Sequence, residues 1–208
     1  MQKINYELEM ERVLASLAPN QVPTLLLHSC CAPCSSAVLE RLSDFFEITV
    51  DYYNPNIAPA AEYHHRAAEQ KRLLHELSPR HPLHFIEGVY EPEVFFALAA
   101  GLEDCPEGGE RCRRCYTLRL QEAAITAQRG GYDYFSTTLS ISPLKDAAVL
   151  NEIGKALGAT YGVQYLVSDF KKKEGYKRSI LLAREHGLYR QDYCGCSYSK
   201  AAREARKK

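Results

Sequence analysis

The stretch TLLLHSCCAPCSSAVLERL, residues 24–42, decides the fold. Its opening, Thr24–His28, is a short apolar run after Pro23, which is typical of a buried strand. Residues 35–42 space their apolar side chains as a helix does. Small and sulfur-containing residues fill the interval, including Cys30, Cys31 and Cys34. The stretch therefore predicts a strand, a tight loop that carries cysteines, and a helix.

The rest of the chain repeats this alternation. Further strands are predicted at residues 46–53, 83–87, 132–138 and 164–168, and helices at 5–18, 60–77, 92–100, 111–129, 145–157 and 176–185. Ser142 is expected to cap the helix at 145–157, with Pro143 at its start and Gly158 at its end. The alternation predicts an α/β protein, a Rossmann-like open parallel sheet with helices on both faces and a cysteine-rich C-terminal segment that closes over the site. In such sheets ligands bind on the loops after the carboxyl ends of the strands, which is where the first cysteines lie.

Composition limits the class of protein. The chain has 208 residues, 46% hydrophobic and 25% charged, which suits one domain with an adequate core. We predict a single α/β metalloenzyme domain over residues 1–208, with residues 1–20 as an N-terminal helical extension and residues 198–208 as a basic tail. Lys and Arg total 26, and Asp and Glu also total 26, so the chain has no general attraction for polyanions.

Apolar runs and cysteine usage predict the compartment. No apolar run approaches the roughly 20 residues that a bilayer requires. The first residues also lack the apolar core of a secretory signal. We therefore expect a cytoplasmic protein without a membrane partner. Thiols stay reduced there, so grouped cysteines indicate a metal or redox site rather than structural disulfides.

The eight cysteines fall into motifs. They read Cys30-Cys31-x-x-Cys34, Cys105, Cys112-x-x-Cys115 and Cys194-x-Cys196. A C-x-x-C step at the start of a helix brings two sulfurs to one face. Two such steps supply the four thiolates of a structural zinc site or of a cubane iron–sulfur cluster. The motifs hold more thiols than one four-ligand site uses, which favours two sites over a zinc-stabilised lobe without chemistry.

Some of these cysteines leave alternatives open. Cys30 and Cys31 are adjacent, so their side chains are expected to face two neighbouring sites rather than one atom. Cys194 and Cys196 either complete the second site or form a redox-active dithiol that closes a disulfide bond. Cys105 lies in an acidic loop outside every motif and is expected to be a bystander.

Hydroxyl residues follow the strand predicted at 132–138. Thr137, Thr138, Ser140 and Ser142 precede a predicted helix, and Lys145 adds a positive charge. Hydroxyls and free backbone N–H groups at a helix N-terminus favour an anion. The pattern therefore predicts an anion site, which is compatible with ordinary helix capping.

Two further groups are candidate contacts to nucleic acid. Tyr53, Asn54 and Asn56 follow a predicted strand, where they either contact a base or hold a turn, and the sequence favours the turn. Lys172 and Tyr176 belong to a run of cations with an aromatic residue. That run indicates either a nucleic-acid contact or a solvated loop.

Polar side chains near these motifs also have two interpretations. Glu62 and Arg66 are four residues apart on a predicted helix, which indicates an ion pair on the helix surface. His28 ends the first strand. It either supports the cysteines or is a satisfied histidine of the core.

Five motifs in this order resemble the epoxyqueuosine reductases of the QueH type. They are HSCCAPC at residues 28–34, YNPNI at 53–57, RCRRCY at 111–116, TTLSISP at 137–143 and YRQDYCGC at 189–196. Each motif alone is weak, whereas the ordered set is specific. The resemblance covers about residues 24–197, and Cys105 lies outside its pattern.

The resemblance implies a fold similar to that of the adenine-nucleotide α-hydrolases. Their first strand–helix turn often binds phosphate, whereas here CCAPC occupies that turn. The resemblance also implies the last step of queuosine biosynthesis, in which the epoxide of epoxyqueuosine at the wobble position of a tRNA is reduced to the alkene with loss of water. An iron–sulfur cluster, expected to be of the 4Fe-4S type, a second metal ion, expected to be iron, and an external electron donor are implied with it.

The same resemblance suggests roles for the candidate residues. The cluster is hypothesised to be held by Cys112, Cys115, Cys34 and one of Cys30 and Cys31, and the second metal by Cys194, Cys196 and the other of that pair. The candidate proton donors are Asp169 and Asp192. The expected substrate contacts are Tyr53, Asn54, Asn56, Thr137, Thr138, Ser140, Ser142, Lys145, Lys172, Tyr176 and Arg190.

Two other classes of protein share some of these features. A sulfur-inserting tRNA enzyme with an iron–sulfur cluster has the same fold and cysteines, but it requires an ATP-binding loop of the Ser-Gly-Gly type, which this sequence lacks. A non-enzymatic zinc-binding module requires only four of the cysteines. Iron and sulfide content separates that module from a reductase.

Overall fold

The architecture is an open, all-parallel sheet. The computed structural model describes residues 4–18 and 20–206. Within these ranges the strands are β1 (Thr24–His28), β2 (Glu47–Tyr52), β3 (Leu83–Glu87), β4 (Tyr134–Thr137) and β5 (Gln164–Tyr165). They pair in parallel in the order β3-β2-β1-β4-β5. The strand order reverses between β1 and β4, and α/β sheets bind ligands at such a point.

Helices cover both faces of this sheet. Within the described ranges they are α1 (Tyr6–Ser16), α2 (Ala32–Leu42), α3 (Ala60–Glu76), α4 (Pro92–Ala99), α5 (Glu110–Gly130), α6 (Ala147–Tyr161), α7 (Gly175–Glu185) and α8 (Ser197–Ala205). Side chains alternate along β1, so Leu25 and Leu27 pack with α2 and α7, while Leu26 packs against α5. The predicted α/β class with a parallel sheet is confirmed.

Helix α6 ends later than predicted. It runs through Gly158 to Tyr161 and is closed by Gly162, which has the left-handed conformation that glycine favours. Gly158 stays inside the helix because the next strand approaches it closely. A Cβ at this position would lie 2.7 Å from the carbonyl oxygen of Val163.

Helix α6 also begins later than predicted, and Ser142 does not cap it. The cap is Asp146, whose side chain accepts a hydrogen bond from Ala148 N. The Ser142 hydroxyl instead accepts from Leu144 N at 3.3 Å, inside the preceding turn. The prediction was wrong because a second capping residue follows within the same loop.

Two segments near the C-terminus differ from the prediction. Strand β5 has only two residues, because the chain after it bonds to side chains, as when Ser168 N donates to Asn151 Oδ1 at 2.9 Å. The segment predicted as a basic tail begins as helix α8. Helix α1 ends at Ser16, two residues before the predicted end at residue 18, because the backbone is already extended at Leu17. Pro19 and the basic residues Lys207 and Lys208 lie outside the described residues. The division of the chain into one domain with two extensions stays a prediction.

The described residues contain no candidate for a membrane-crossing helix. None of their helices combines the length and the apolar composition that such a segment needs.

Candidate metal centre

Three thiols lie together where β1 turns into α2. Cys30 and Cys31 form the loop with Ser29, and Cys34 lies in the first turn of α2. The three sulfur atoms all lie within 4.8 Å of one another, and those of Cys30 and Cys31 are 3.9 Å apart. Cys30 and Cys31 are buried. Such a set can hold a metal ion, and we name these three cysteines the first cysteine group.

This arrangement differs from the expectation that Cys30 and Cys31 face separate sites. Their sulfurs are near neighbours, and both lie close to the sulfur of Cys34. The chain turns from strand into helix at this point, which brings the two adjacent side chains together. The two residues therefore belong to one set of donors.

Hydrogen bonds among the three thiols separate their pKa values. Hydrogen bonds with Cys31 and Cys34 hold the pKa of the Cys30 thiol well below its ordinary value. The hydrogen bond with Cys30 raises the pKa of Cys31 to about 12. Hydrogen bonds with Cys30 and Cys31 raise the pKa of Cys34 well above the usual range. Cys30 is therefore the first of the three to form a thiolate, the form that binds metals.

Polar side chains brace the loop of the first cysteine group. The hydroxyls of Ser29 and Ser35 donate to Gln70 Oε1 at 3.0 and 2.8 Å. Asn54 Nδ2 donates to Ser29 O at 2.8 Å. Among the described residues no side chain caps the N-terminus of α2, where Cys31 is the N-cap residue. Backbone N–H groups at a helix N-terminus favour a nearby thiolate.

The remaining motif cysteines line a narrow cavity of their own. Cys112 and Cys115 lie at the start of α5, while Cys194 and Cys196 precede α8. All four line one narrow cavity of about 20 Å³. Cys115 and Cys196 are buried and pack in one cluster with Phe95. We name these four cysteines the second cysteine group.

Gly195 allows the C-terminal loop to lie against the loop after β2. Its φ of +123° is a conformation that glycine favours, and a Cβ would lie 2.9 Å from Ile57 Cγ1. Its carbonyl oxygen accepts from Ala58 N at 3.0 Å. The carbonyl oxygen of Cys194 accepts from Arg66 Nη1 at 3.3 Å. The C-terminal segment thus closes over the carboxyl edge of the sheet, as the fold prediction required.

Cys194 and Cys196 do not form the disulfide that was one predicted alternative. Their sulfurs are 3.7 Å apart, and all eight cysteines, each within the described ranges, are free. A disulfide requires about 2.05 Å. A hydrogen bond between the two sulfurs instead lowers the pKa of Cys194 and raises that of Cys196. The pair is a dithiol in this structure.

Cations lie beside both cysteine groups. Burial opposes the charge of Lys145, but the thiolates of Cys30 and Cys194 outweigh it and raise its pKa above the ordinary value. Burial also opposes the charge of Arg119, and Cys115 and Cys30 likewise raise its pKa. Lys145 lines both the narrow cavity of the second group and a wider cleft beside the cysteines. These charges offset the negative charge that thiolates bring to a buried site.

A cleft of about 460 Å³ opens beside the cysteines. Cys30, Cys34 and Cys194 lie in its walls, so both groups border it. The predicted site residues that also line it are Ser142, Lys145, Tyr176, Arg190 and Asp192. A volume of this size is typical of small-molecule and cofactor sites.

The hydroxyls of the predicted anion site lie mostly in the core. Thr137 Oγ1 lies 2.9 Å from His28 Nδ1, and Ser140 Oγ lies 2.8 Å from Ser168 Oγ. Thr138 is buried, and its hydroxyl has no hydrogen-bond partner within the described ranges. Of the predicted anion site, only the members from position 142 onward line the cleft.

The loop after β2 supports the site without lining the cleft. Asn54 is buried, and its Oδ1 accepts from Arg119 Nη1 at 3.4 Å, so this residue holds the turn as the sequence favours. Asn56 lines the narrow cavity of the second group. Tyr53 packs on Gly88, where a Cβ would lie 2.9 Å from its ring.

Asp169 and Lys172 lie elsewhere. Both line a groove of about 530 Å³ beside α1, and Asp169 Oδ1 lies 2.6 Å from Lys171 Nζ. Asp192 by contrast lines the cleft, and its Oδ2 accepts from Arg203 Nε at 3.3 Å. Of the two candidate proton donors, the structure therefore brings only Asp192 to the cysteines.

His28 is a histidine of the core. Its ring nitrogens lie 2.9 Å from Thr137 Oγ1 and 3.3 Å from Tyr53 O. Burial and the charge of Arg119 lower its pKa to about 3, so the ring is neutral at physiological pH. Cys105 is only partly buried and belongs to neither cysteine group.

Two arginines beside the cysteines, Arg66 and Arg119, were not predicted as site residues. Glu62 and Arg66 pair as predicted, with Nε 2.7 Å from Oε1, but Arg66 is 1% exposed rather than on the surface. The spacing of this pair is common on exposed helices, so nothing in the sequence marks it as buried. Arg119 follows Cys115 by one helical turn, a spacing that places both on one face of α5 and offered a usable signal.

The fold and the site together define a class of protein. It is an open parallel α/β protein in which two cysteine groups, one of them geometrically able to hold a metal ion, meet at the carboxyl edge of the sheet. A family model described as epoxyqueuosine reductase QueH matches residues 25–202. The chain belongs to the epoxyqueuosine reductase QueH family, as its motifs indicated.

Curated relatives match along most of the chain. An epoxyqueuosine reductase QueH of Streptococcus pyogenes serotype M1 is 42% identical over 201 residues, which are 95% of this chain and 79% of that protein. The relative of the same name from Staphylococcus epidermidis is 40% identical over 203 residues, 95% of this chain and 85% of that protein. The one from Thermotoga maritima is 35% identical over 181 residues, 85% of this chain and 90% of that protein. Neither a sulfur-inserting enzyme nor a zinc-binding module is favoured by these matches.

Proposed function

We infer that this chain is an epoxyqueuosine reductase, an oxidoreductase of queuosine biosynthesis. The observation that carries this inference is the meeting of the family's cysteine motifs beside one cleft. Cys30 and Cys34 come from one part of the chain and Cys194 from a distant part, and all three border that cleft. Family membership supplies the reaction, and the site supplies donors for the metal chemistry that such a reaction needs.

The proposed substrate is a tRNA that carries epoxyqueuosine at its wobble position. Conversion of the epoxide to an alkene breaks two C–O bonds, consumes two electrons and two protons, and releases water. Ordinary side chains do not supply electrons, so an external donor is required. When bound, an iron–sulfur cluster supplies single electrons, and a metal ion with an open position polarises the epoxide oxygen.

The cysteine groups fit such cofactors in number and chemistry. The first offers three sulfurs within 4.8 Å of one another, the second offers four around one cavity, and all are free thiols. We propose that each group holds one metal-containing group and that at least one is an iron–sulfur cluster. Three thiols leave one position open to a substrate, whereas four fill a tetrahedral set. This division keeps Cys30 and Cys31 together, unlike the hypothesis drawn from the sequence.

The residues of the cleft are proposed to bind and orient the modified nucleotide. The Tyr176 ring offers a face on which a base stacks, and Arg190 offers charge to a phosphate. Asp192, which is exposed and pairs with Arg203, takes up a proton from solvent and passes it to the oxygen as a C–O bond breaks. Lys145 stabilises the negative charge that develops on that oxygen. Closure by the C-terminal loop keeps water from the reacting atoms.

One experiment tests this function directly. The protein is purified without oxygen, and its iron, sulfide and zinc contents and its visible spectrum are measured. It is then incubated with a chemical one-electron reductant and tRNA that carries epoxyqueuosine, and the digested nucleosides are analysed by mass spectrometry. We expect iron, sulfide and formation of queuosine. Protein that holds only zinc, or loaded protein that converts no substrate, contradicts the proposal.

A further inference from the structure

Two hydrogen-bond donors on one face of α3 are buried without a partner in the part of the chain that the structure describes. The side chains of Arg66 and Gln70 belong to residues that are 1% and 0% exposed. Arg66 Nη2 and Gln70 Nε2 have no acceptor among residues 4–18 and 20–206. The two residues are one helical turn apart and therefore neighbours on the helix. Unpaired buried donors destabilise a fold, the more so when charged, and two together indicate an absent acceptor.

The rest of each side chain is tied to a cysteine loop. Arg66 Nη1 donates to the carbonyl oxygen of Cys194 at 3.3 Å. Gln70 Oε1 accepts from the hydroxyls of Ser29 and Ser35 at 3.0 and 2.8 Å. These serines flank the first cysteine group in the sequence. Both side chains are therefore held beside the cysteines, with one N–H group of each left over.

The charge of Arg66 is coupled to the first cysteine group. Burial opposes that charge, but the thiols of Cys31 and Cys30 raise the pKa of the guanidinium above its ordinary value. The ring of Tyr193 lies 5.2 Å from the guanidinium carbon. The guanidinium is therefore inside the protein, away from solvent, and its charge interacts with the thiols of the first cysteine group.

We propose that Arg66 Nη2 and Gln70 Nε2 donate hydrogen bonds to sulfur atoms of the metal group held by the first cysteine group, and that they raise its reduction potential. Donors to sulfur and nearby positive charge stabilise the reduced, more negative form. The inference rests on the proposed function, because it needs a redox-active group at these cysteines. Arg66 is a positioning residue here, since it also holds the C-terminal loop.

The test is a redox titration of the loaded protein followed by electron paramagnetic resonance. The signal followed is the one that Cys31→Ala removes. In Arg66→Met, the ratio of reduced to oxidised protein at a fixed potential is expected to fall about tenfold, a shift of about 59 mV for one electron. Gln70→Met removes a donor without changing the charge and is expected to shift the potential in the same direction by less.

Two further variants test in which direction a change of charge on α3 shifts the reduction potential. Glu62→Gln keeps both donors and removes the negative charge that lies 2.7 Å from Arg66 Nε, so the potential is expected to rise. Arg72→Met makes the same change of charge as Arg66→Met on a side chain of α3 that is 37% exposed. Its potential is expected to equal that of the wild type. Circular dichroism of each variant checks the fold.

The outcomes separate the two proposals. If loaded Arg66→Met and Gln70→Met titrate at the wild-type potential, the donors are structural and the inference is overturned, even when iron content falls. If Arg66→Met does not fold, the reduction potentials of Gln70→Met and Glu62→Gln test the inference. They are expected to shift in opposite directions, and wild-type potentials in both overturn the inference. Wild-type protein without iron, sulfide and turnover contradicts the proposed function itself.

Discussion

The two cysteine groups are held in place in different ways. The first lies on the turn from β1 into α2, in the centre of the sheet, and Ser29 N is anchored to Asp51 O at 2.9 Å. The second joins the start of α5 to a loop near the end of the chain, which is held by Arg66 and Ala58. The first set of thiols lies on one continuous segment of the chain, whereas the second joins two segments that are distant in sequence. Substitutions can therefore disturb the groups separately.

The largest expected effect is the loss of metal from one cysteine group while the other group keeps its metal. Cys31→Ala and Cys194→Ala each remove one thiol from one group, so each is expected to lose the metal of that group while the other group stays loaded. Turnover is expected to fall by more than about 100-fold in both, since changes outside the ligand set already cost about 10–100-fold. Iron and sulfide content and queuosine formation measure the effect. Cys105→Ser is the matched control, and a fully loaded, active Cys31→Ala protein contradicts the division.

The cleft between the groups distinguishes the two candidate proton donors. Asp192→Asn is expected to lower kcat by roughly 10²-fold or more, because it removes a general acid beside the cysteines. Asp169→Asn is expected to leave kcat near the wild-type value, since Asp169 lines a different groove. Single-turnover kinetics at matched iron content measure both. A larger effect for Asp169→Asn would reverse the assignment.

Stability at the sheet end under the first group depends on pH. Asp51 is buried, and burial together with the charge of Glu122 raises its pKa from 3.8 to about 7. The folded protein keeps a proton that the unfolded chain releases, so the free energy of unfolding falls as pH rises from about 4 to about 7, by roughly 4 kcal/mol at most. Asp51→Asn is expected to flatten this slope. Urea titrations across this range measure it, with the exposed Asp44→Asn as control.

The smallest expected effect concerns the C-terminal loop alone. Gly195→Ala introduces backbone strain at φ +123° and a contact with Ile57 Cγ1, at a cost of about 1–3 kcal/mol. The second group is expected to load less metal, while the first is unchanged. Gly187→Ala carries strain at φ +55°, and no atom of the described residues lies within 4 Å of the new Cβ, so it is expected to cost less. Equal thermal stability of the two variants would remove the argument for a tight closure.

Regular elements were predictable where one element carries its own signal. The bounds of β1 and β3 agree with the prediction to the residue, because both are short apolar or β-branched runs between turn residues. The cap of α6 was not predictable, since Ser142 and Asp146 both suit the role and the path of the loop selects between them. The sequence also could not predict which hydroxyl side chains lie in the core and which line the cleft, because a hydroxyl group can form hydrogen bonds in either environment.

The sequence by itself determined the alternation of strands and helices, the cysteine loop after β1 and the family. These follow from periodicity and from motifs, which are local patterns. Only the tertiary structure decided that the sulfurs of Cys30 and Cys31 lie close together, that Arg66 is buried and that Asp192 rather than Asp169 reaches the cleft. The physical reason is that burial and distance depend on chain segments far apart in sequence, whose relative positions no local pattern contains.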